Sequence, residues 1–106
     1  MHNIQYRQGD VFLVRVSNLP AGATLVPRDD KGRVVLAVGE ATGHAHAIAA
    51  PGVDLFEAAG RTYLSVGGDC VTLLHEEHLP ISIPPGDFEV IRQVEYTPAA
   101  IRRVMD

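Results

Sequence analysis

Short runs of apolar and β-branched residues alternate along this chain with clusters of Gly, Pro, Asn and Asp. This spacing of strand-like runs and turn residues is typical of all-β proteins. We therefore expect about seven or eight strands in a small β-barrel or β-sandwich. The runs cover residues 10–16, 24–26, 33–48, 53–58, 61–66, 69–74, 79–83 and 88–95.

The C-terminal residues have a different pattern. Thr97 and Pro98 match a helix start, where a Thr N-cap and a Pro at the first helical position are favoured. Arg102 and Arg103 fall near the end of the segment, where the helix dipole favours cations. We predict a short C-terminal helix over residues 97–106. It completes a single domain over residues 1–106, because no linker or repeat divides the chain.

Composition and charge exclude several functions. The chain has 106 residues, of which 46% are hydrophobic and 21% are charged, so it can bury a core. Nine basic residues against thirteen acidic ones leave a net charge of −4. Because no cluster of Lys and Arg is present to neutralise phosphates, we expect no nucleic-acid partner. No apolar stretch approaches the roughly 18 residues of a membrane span, so we expect no membrane partner.

Cysteine content and the N-terminal residues predict a cytoplasmic location. The chain has a single cysteine, Cys70, which cannot form an internal disulfide, and no apolar signal segment begins the sequence. Cys70 alternates with Thr72 and Leu74 in its predicted strand, and we expect its thiol to be buried. A homodimer is also expected, because the edge strands of a small sheet need covering.

Four of the five histidines form two tight pairs, Gly43-His44-Ala45-His46 and His75-Glu76-Glu77-His78. His44 and His46 are two residues apart in the predicted strand 33–48, so their side chains share one face. Two imidazoles on one face suit the chelation of a metal ion through ring nitrogens. The strands predicted between the pairs allow them to be adjacent in a closed sheet. We therefore predict a shared divalent metal site.

The second pair leaves the ligand set open. In an unbroken strand His75 and His78 would point to opposite faces. Both can reach one ion only if a turn or bulge interrupts the segment, which Pro80 favours. We favour the ligand set His44, His46, His75 and His78. The alternative set consists of His44, His46, His75 and Glu77.

Two further glutamates are candidates near this site. Glu76 is an additional alternate ligand, and Glu40 is expected to accept a hydrogen bond from a ligand imidazole. Zinc suits such a set of His and Glu donors best, with iron, nickel and manganese as other candidates.

Two resemblances follow from these motifs. The Gly-His-x-His segment with a later histidine, residues 39–46 and His75, is similar to the metal motif of the cupin superfamily, and this likeness implies a divalent metal in a small β-barrel. Cupins place a glutamate shortly after His-x-His, whereas this chain continues Ala47-Ile48-Ala49-Ala50-Pro51. The blocks 8–11, 39–46, 75–78 and 84–90 also resemble a small uncharacterised bacterial family with GHxH and HEEH blocks.

Three functions are open for such a chain. Four protein ligands would close the site, and the ion would stabilise a structural or accessory module. An open site would support a cupin-like metalloenzyme, with Glu76 or Glu77 moving protons. A metal-free interaction domain would use the histidines as a pH-sensitive surface. We expect the structural or accessory role, because the chain has no Trp and only three Tyr and three Phe to line a substrate pocket.

Overall fold

The computed structural model describes residues 4–39, 41–96 and 101–103, and the side chains of residues 6–39 and 41–93. Every regular element in these ranges is a β-strand, which confirms the predicted all-β class. Within the same ranges there is no helix with the length and apolarity to cross a membrane. The twelve strands, in chain order, are β1 (Ile4–Gln8), β2 (Val11–Val16), β3 (Thr24–Val26), β4 (Val34–Val38), β5 (Ala45–Ile48), β6 (Val53–Ala58), β7 (Arg61–Val66), β8 (Val71–Leu73), β9 (Ile81–Ile83), β10 (Gly86–Arg92), β11 (Val94–Tyr96) and β12 (Ile101–Arg103).

The predicted strand 33–48 is two strands, β4 and β5, which pair as a hairpin. Gly43 lies between them with φ at +74°, a conformation that glycine adopts without strain, and its N–H donates to the Gly39 carbonyl at 2.8 Å. The prediction that His44 and His46 share one strand is therefore wrong. His44 lies in the connection between the strands, and His46 lies in β5.

Six strands form one antiparallel sheet in the order β1-β2-β10-β7-β6-β3. The remaining strands of the described ranges form three hairpins, β4–β5, β8–β9 and β11–β12. An isolated bridge between Ala47 in β5 and Leu74, directly after β8, joins the first two hairpins. These two hairpins therefore act as a second layer.

The hydrophobic core lies between the six-stranded sheet and this second layer. Its most deeply buried members, each at most 1% exposed, are Leu13, Val53, Leu64 and Phe88 from the sheet and Ile48, Leu73 and Ile83 from the hairpins. Two β-layers around one core make a β-sandwich, one of the two predicted architectures.

Cys70 is exposed, so the prediction of a buried thiol is wrong. The alternation of side chains in this segment has the opposite phase from the predicted one. Val71 and Leu73 are the buried residues of β8, and Thr72 faces solvent.

The predicted C-terminal helix is replaced by a strand where the structure describes it. Residues 101–103 form β12, which pairs antiparallel with β11. A two-turn helix is marginal in isolation, whereas strand pairing gives the same backbone groups partners on β11. The other residues of the predicted helix, 97–100 and 104–106, lie outside the described ranges.

Candidate metal centre

The structure brings the two histidine pairs together where the β4–β5 hairpin meets the loop between β8 and β9. The ring centroids of His75 and His46 are 4.2 Å apart, and those of His75 and His78 are 4.7 Å apart. His44 is 5.7 Å from His75, and His46 is 6.0 Å from His78. Imidazoles that share one ion at ~2.1 Å have centroids roughly 5 Å apart, a spacing close to that of His44 and His75, whose rings stand at 84° to each other. The His46 and His78 rings instead lie nearly parallel, at 16°.

Backbone pairing between β5 and the residue after β8 produces this convergence. Ala47 and Leu74 donate to each other's carbonyls at 3.0 and 2.9 Å. In an antiparallel pair the next residues in register, His46 and His75, lie opposite each other. The bridge therefore brings one histidine of each pair into contact.

The segment from His75 to His78 is a loop rather than a strand. β8 ends at Leu73 and β9 begins at Ile81. The Glu77 N–H donates to Nδ1 of His75 at 3.0 Å, which bends the backbone there. This is the interruption that both histidines need in order to lie beside His46.

Three residues of this region could hold a metal ion. His44, His75 and Glu76 each offer one ligand atom, and these three atoms lie within 4.8 Å of one another. The Glu76 carboxylate accepts the Ala45 N–H at 3.0 Å, and this bond holds the pKa of Glu76 below its ordinary value of 4.5. Its own N–H and the nearby His44 and His75 lower the pKa further. Glu76 is therefore an ionised donor at neutral pH.

The other predicted site residues have separate positions. Glu77 Oε2 lies 3.2 Å from His44 Nδ1, so this glutamate faces a candidate ligand. His46 is fully buried, and His78 is half-buried. Glu40 lies outside the described residues.

Sequence reasoning missed two buried polar residues at the β1–β2 turn. Gln8 Oε1 lies 2.8 Å from His46 Nδ1, and Asp10 Oδ1 lies 3.4 Å from His46 Nε2. Arg92 Nε donates to Asp10 Oδ2 at 2.9 Å. The available signal was a pair of polar residues around Gly9, but a solvated turn has the same sequence pattern.

Gly9 itself is in contact with a candidate ligand. Its φ is +58°, and a Cβ atom added to it would lie 2.6 Å from His78 Nε2. Real Cβ atoms do not approach another heavy atom so closely. The backbone conformation therefore favours glycine here, and a larger residue would also displace the His78 ring.

A cavity of about 310 Å³ adjoins the candidate metal group. His75 and Glu76 are in its lining, and Ala45, Ala47 and Leu74 give it an apolar wall. Arg33 adds a cationic side chain, whose Nε donates to Asp29 at 2.9 Å. The cavity thus combines candidate metal ligands, an apolar wall and an arginine that is already paired with Asp29.

Comparisons with known proteins assign no activity to this arrangement. No curated protein matches the chain, and no solved structure matches it. The cupin resemblance therefore stays a prediction. A family model described as Domain of unknown function (DUF8820) matches residues 7–93, a span that contains the whole candidate site from Gln8 to Arg92. The chain therefore belongs to this family, DUF8820.

Proposed function

We propose that this domain binds a divalent metal ion through His44, His75 and Glu76. The approach of their three ligand atoms to within 4.8 Å of one another is the observation that carries this proposal. Two imidazoles and one carboxylate are a recurrent zinc donor set, so zinc is the ion we propose. Iron, nickel and manganese accept the same donor types.

Metal binding at His75 requires a change in the loop. The Glu77 N–H donates to Nδ1, so the neutral ring carries its proton on Nε2. An ion at Nδ1 displaces this N–H directly. An ion at Nε2 requires the ring proton to move to Nδ1. That proton then points at the Glu77 N–H, and two donors repel each other. In both cases the Glu77 backbone shifts when the ion binds.

A structural or accessory role fits the elements that the ion would join. His44 precedes β5, whereas His75 and Glu76 follow β8, so the ion would link two hairpins. An ion that binds only the folded chain adds its binding free energy to the stability of the fold. The ion would therefore strengthen the second layer of the sandwich. The homodimer and the cytoplasmic location stay predictions.

The adjoining cavity favours a second candidate, a metalloenzyme with an open site. Three protein ligands leave one position of a four-coordinate zinc ion for water or substrate. The cavity of about 310 Å³ is at the lower end of the roughly 300–1,000 Å³ typical of ligand pockets.

Zinc affinity, measured on protein without a histidine tag, tests the metal site. We expect Glu76→Gln and His44→Ala each to weaken zinc binding at this group by at least ~100-fold, because even residues that only orient a metal ligand contribute ~10–100-fold. Glu57→Gln, at an exposed glutamate in β6, is the matched control and should keep the wild-type affinity. Unchanged zinc affinity in both site variants would contradict the proposal.

Cobalt substitution separates the two roles on the same samples. In an open site, added acetate occupies the free coordination position and changes the visible absorption of the bound cobalt. In a structural site closed by a fourth protein ligand, for which Glu77 beside His44 is the candidate, the spectrum stays the same. A spectral change would therefore favour the metalloenzyme over the structural module.

A further inference from the structure

The six-stranded sheet has two faces, and one of them packs on the core. Leu13, Leu64 and Phe88 point inward, so the residues next to them along β2, β7 and β10 point to the opposite side. We call the outward-pointing residues of the six strands the outer face. A solvent-facing antiparallel sheet is normally polar. More than half of the described positions of the outer face are instead apolar or aromatic, which is the composition of an interface.

The middle of the outer face is an apolar row that runs across the strands. Strand register places one residue from each of five strands in this row: Leu25, Phe56, Tyr63, Glu89 and Val14. Phe56 and Tyr63 are directly opposite each other at its centre, and Leu25 at its end is 55% exposed. Aromatic and aliphatic neighbours of this kind offer a flat apolar surface to a partner.

An acidic row lies on one side of the apolar row. Asp54 of β6 and Asp87 of β10 are both opposite Ser65 of β7, one on each side of it. Val16 of β2 is the next residue in this row. Among its described positions the row thus has two carboxylates and no cationic side chain.

A basic row lies on the other side of the apolar row. Arg61 is opposite Ala58, and its side chain is 66% exposed. Arg7 is opposite Phe12, and its guanidinium carbon is 5.0 Å from the centre of the Phe12 ring. Ile91, which is 41% exposed, is opposite Phe12 on the neighbouring strand. Within the described part of the chain this row has two cations and no carboxylate.

This order of rows is complementary to itself. A two-fold axis along the apolar row would place the acidic row of one copy over the basic row of the other, and the two apolar rows over each other. The partner's Arg61 would then lie over Ser65, between Asp54 and Asp87. Glu89 is the charged member of the apolar row, and Arg61 Nη1 of the same chain lies 3.6 Å from its Oε2, which limits repulsion between the two copies of Glu89. The carboxylates of the acidic row would repel a phosphate backbone, so the face suits a second copy better than a nucleic acid.

The outer face also has the area that a dimer requires. Six strands at ~4.8 Å spacing, of which the central ones have six or seven residues, give a flat area of roughly 500 Å² per copy. Projecting side chains raise the accessible area above the flat area, so two copies together would bury roughly 1,200 Å², the lower end of the range for specific interfaces.

We propose that the outer face is a homodimer interface, which packs on the outer face of a second copy in this two-fold arrangement. The expected homodimer thus uses the face of the sheet rather than its edge strands. The interface is independent of the candidate metal centre, because the β4–β5 and β8–β9 hairpins lie on the other side of the core.

Charge reversal tests this interface by sedimentation equilibrium in EDTA, which removes metal ions. We expect Arg61→Glu, and separately the double variant Asp54→Lys/Asp87→Lys, to raise the dimer dissociation constant at least ~10-fold, because each replaces attraction by repulsion at two symmetric contacts. An equimolar mixture of these two variants should dimerise as the wild type does, since every contact in the mixed dimer again joins opposite charges. Lys31→Glu, at an exposed lysine in the turn between β3 and β4, is the matched control and should keep the wild-type dissociation constant.

Three outcomes would overturn the proposal. A wild type that stays monomeric up to ~1 mM would leave the outer face to another occupant. Unchanged dissociation constants in both charge variants, or a mixture that does not dimerise, would place the interface elsewhere on the molecule. Dimers that form only when zinc is added would assign the contact to the metal centre. Because the measurement is made without metal, its result does not depend on zinc binding at His44, His75 and Glu76.

Discussion

Gln8 is a residue without acid–base chemistry of its own that sets the chemistry of its neighbour. Its buried amide donates to two backbone carbonyls and leaves only an acceptor for His46. A leucine of similar size could fill the space, but it would leave the carbonyls of Leu73 and Leu79 without this donor. Burying unpaired polar groups costs about 1–3 kcal/mol each. The amide therefore serves both the fold and the orientation of His46.

Gly9→Ala tests the contact between the β1–β2 turn and His78. A residue with a Cβ in this conformation costs about 1–2 kcal/mol, and the 2.6 Å approach to His78 Nε2 adds to this loss. We expect urea denaturation to show a decrease of more than about 2 kcal/mol in the free energy of unfolding. Gly22→Ala is the matched control, since Gly22 has φ at +78° and open space around it. Equal losses in the two variants would contradict the contact with His78.

The turn between β3 and β4 shows how a short element is held by one carboxylate. Asp29 Oδ1 accepts the N–H groups of Arg33 at 2.7 Å and Lys31 at 3.1 Å, and Oδ2 accepts Arg33 Nε at 2.9 Å. The bond from the Arg33 N–H is the largest influence, and together these bonds hold the pKa of Asp29 below 3.8. The ionised carboxylate therefore stabilises the turn.

Asp29→Asn should change how stability depends on pH. Because the folded pKa lies below the unfolded one, the contribution of Asp29 is fully present above 3.8 and is lost as the pH falls through the folded pKa. We expect the difference in unfolding free energy between wild type and variant to shrink as the pH falls below 3.8. Urea denaturation at several pH values measures it, with Asp30→Asn as control. A difference that stays constant with pH would contradict this role.

At the scale of elements, the local sequence pattern predicts where most strands lie. It fails where strand pairing determines the strand boundaries, the buried face or the type of element. Each predicted run overlaps a strand, since apolar residues and turn residues are local signals, but β1 lies outside every predicted run. The break between β4 and β5 required knowing that Gly39 and Gly43 form a turn. The phase of the β8 segment, which exposes Cys70, is determined by which face meets the core. Residues 101–103 form a strand because β11 is available to pair with them.

At the scale of the whole molecule, the fold assembles the candidate site from distant parts of the sequence. The β1–β2 turn supplies Gln8 and Asp10, the β4–β5 hairpin supplies His44 and His46, and the loop after β8 supplies the residues from His75 to His78. The histidine spacing alone predicted that the two pairs would meet. It could not predict Asp10, because nothing local links residue 10 to residue 46.

Zinc should stabilise the whole domain by mass action. At a free zinc concentration 100 times the dissociation constant, one site adds about 2.7 kcal/mol to the free energy of unfolding. In a domain of this size that corresponds to a rise in Tm of about 10–20 °C. Differential scanning calorimetry with and without zinc measures it, and Glu76→Gln should show a smaller rise. An unchanged Tm at saturating zinc would contradict metal binding to the folded state.

The position of β10 has a consequence for synthesis on the ribosome. This strand comes after residues 1–85, yet it pairs with β2 on one side and β7 on the other. While residues 86–92 are still being translated, β2 and β7 each keep an open edge in the middle of the sheet, and open edges recruit other chains. A nascent or C-terminally truncated chain is thus the form of this protein most exposed to aggregation. When β10 pairs with β2 and β7, the sheet is completed, and Arg92 at the end of β10 comes into contact with Asp10.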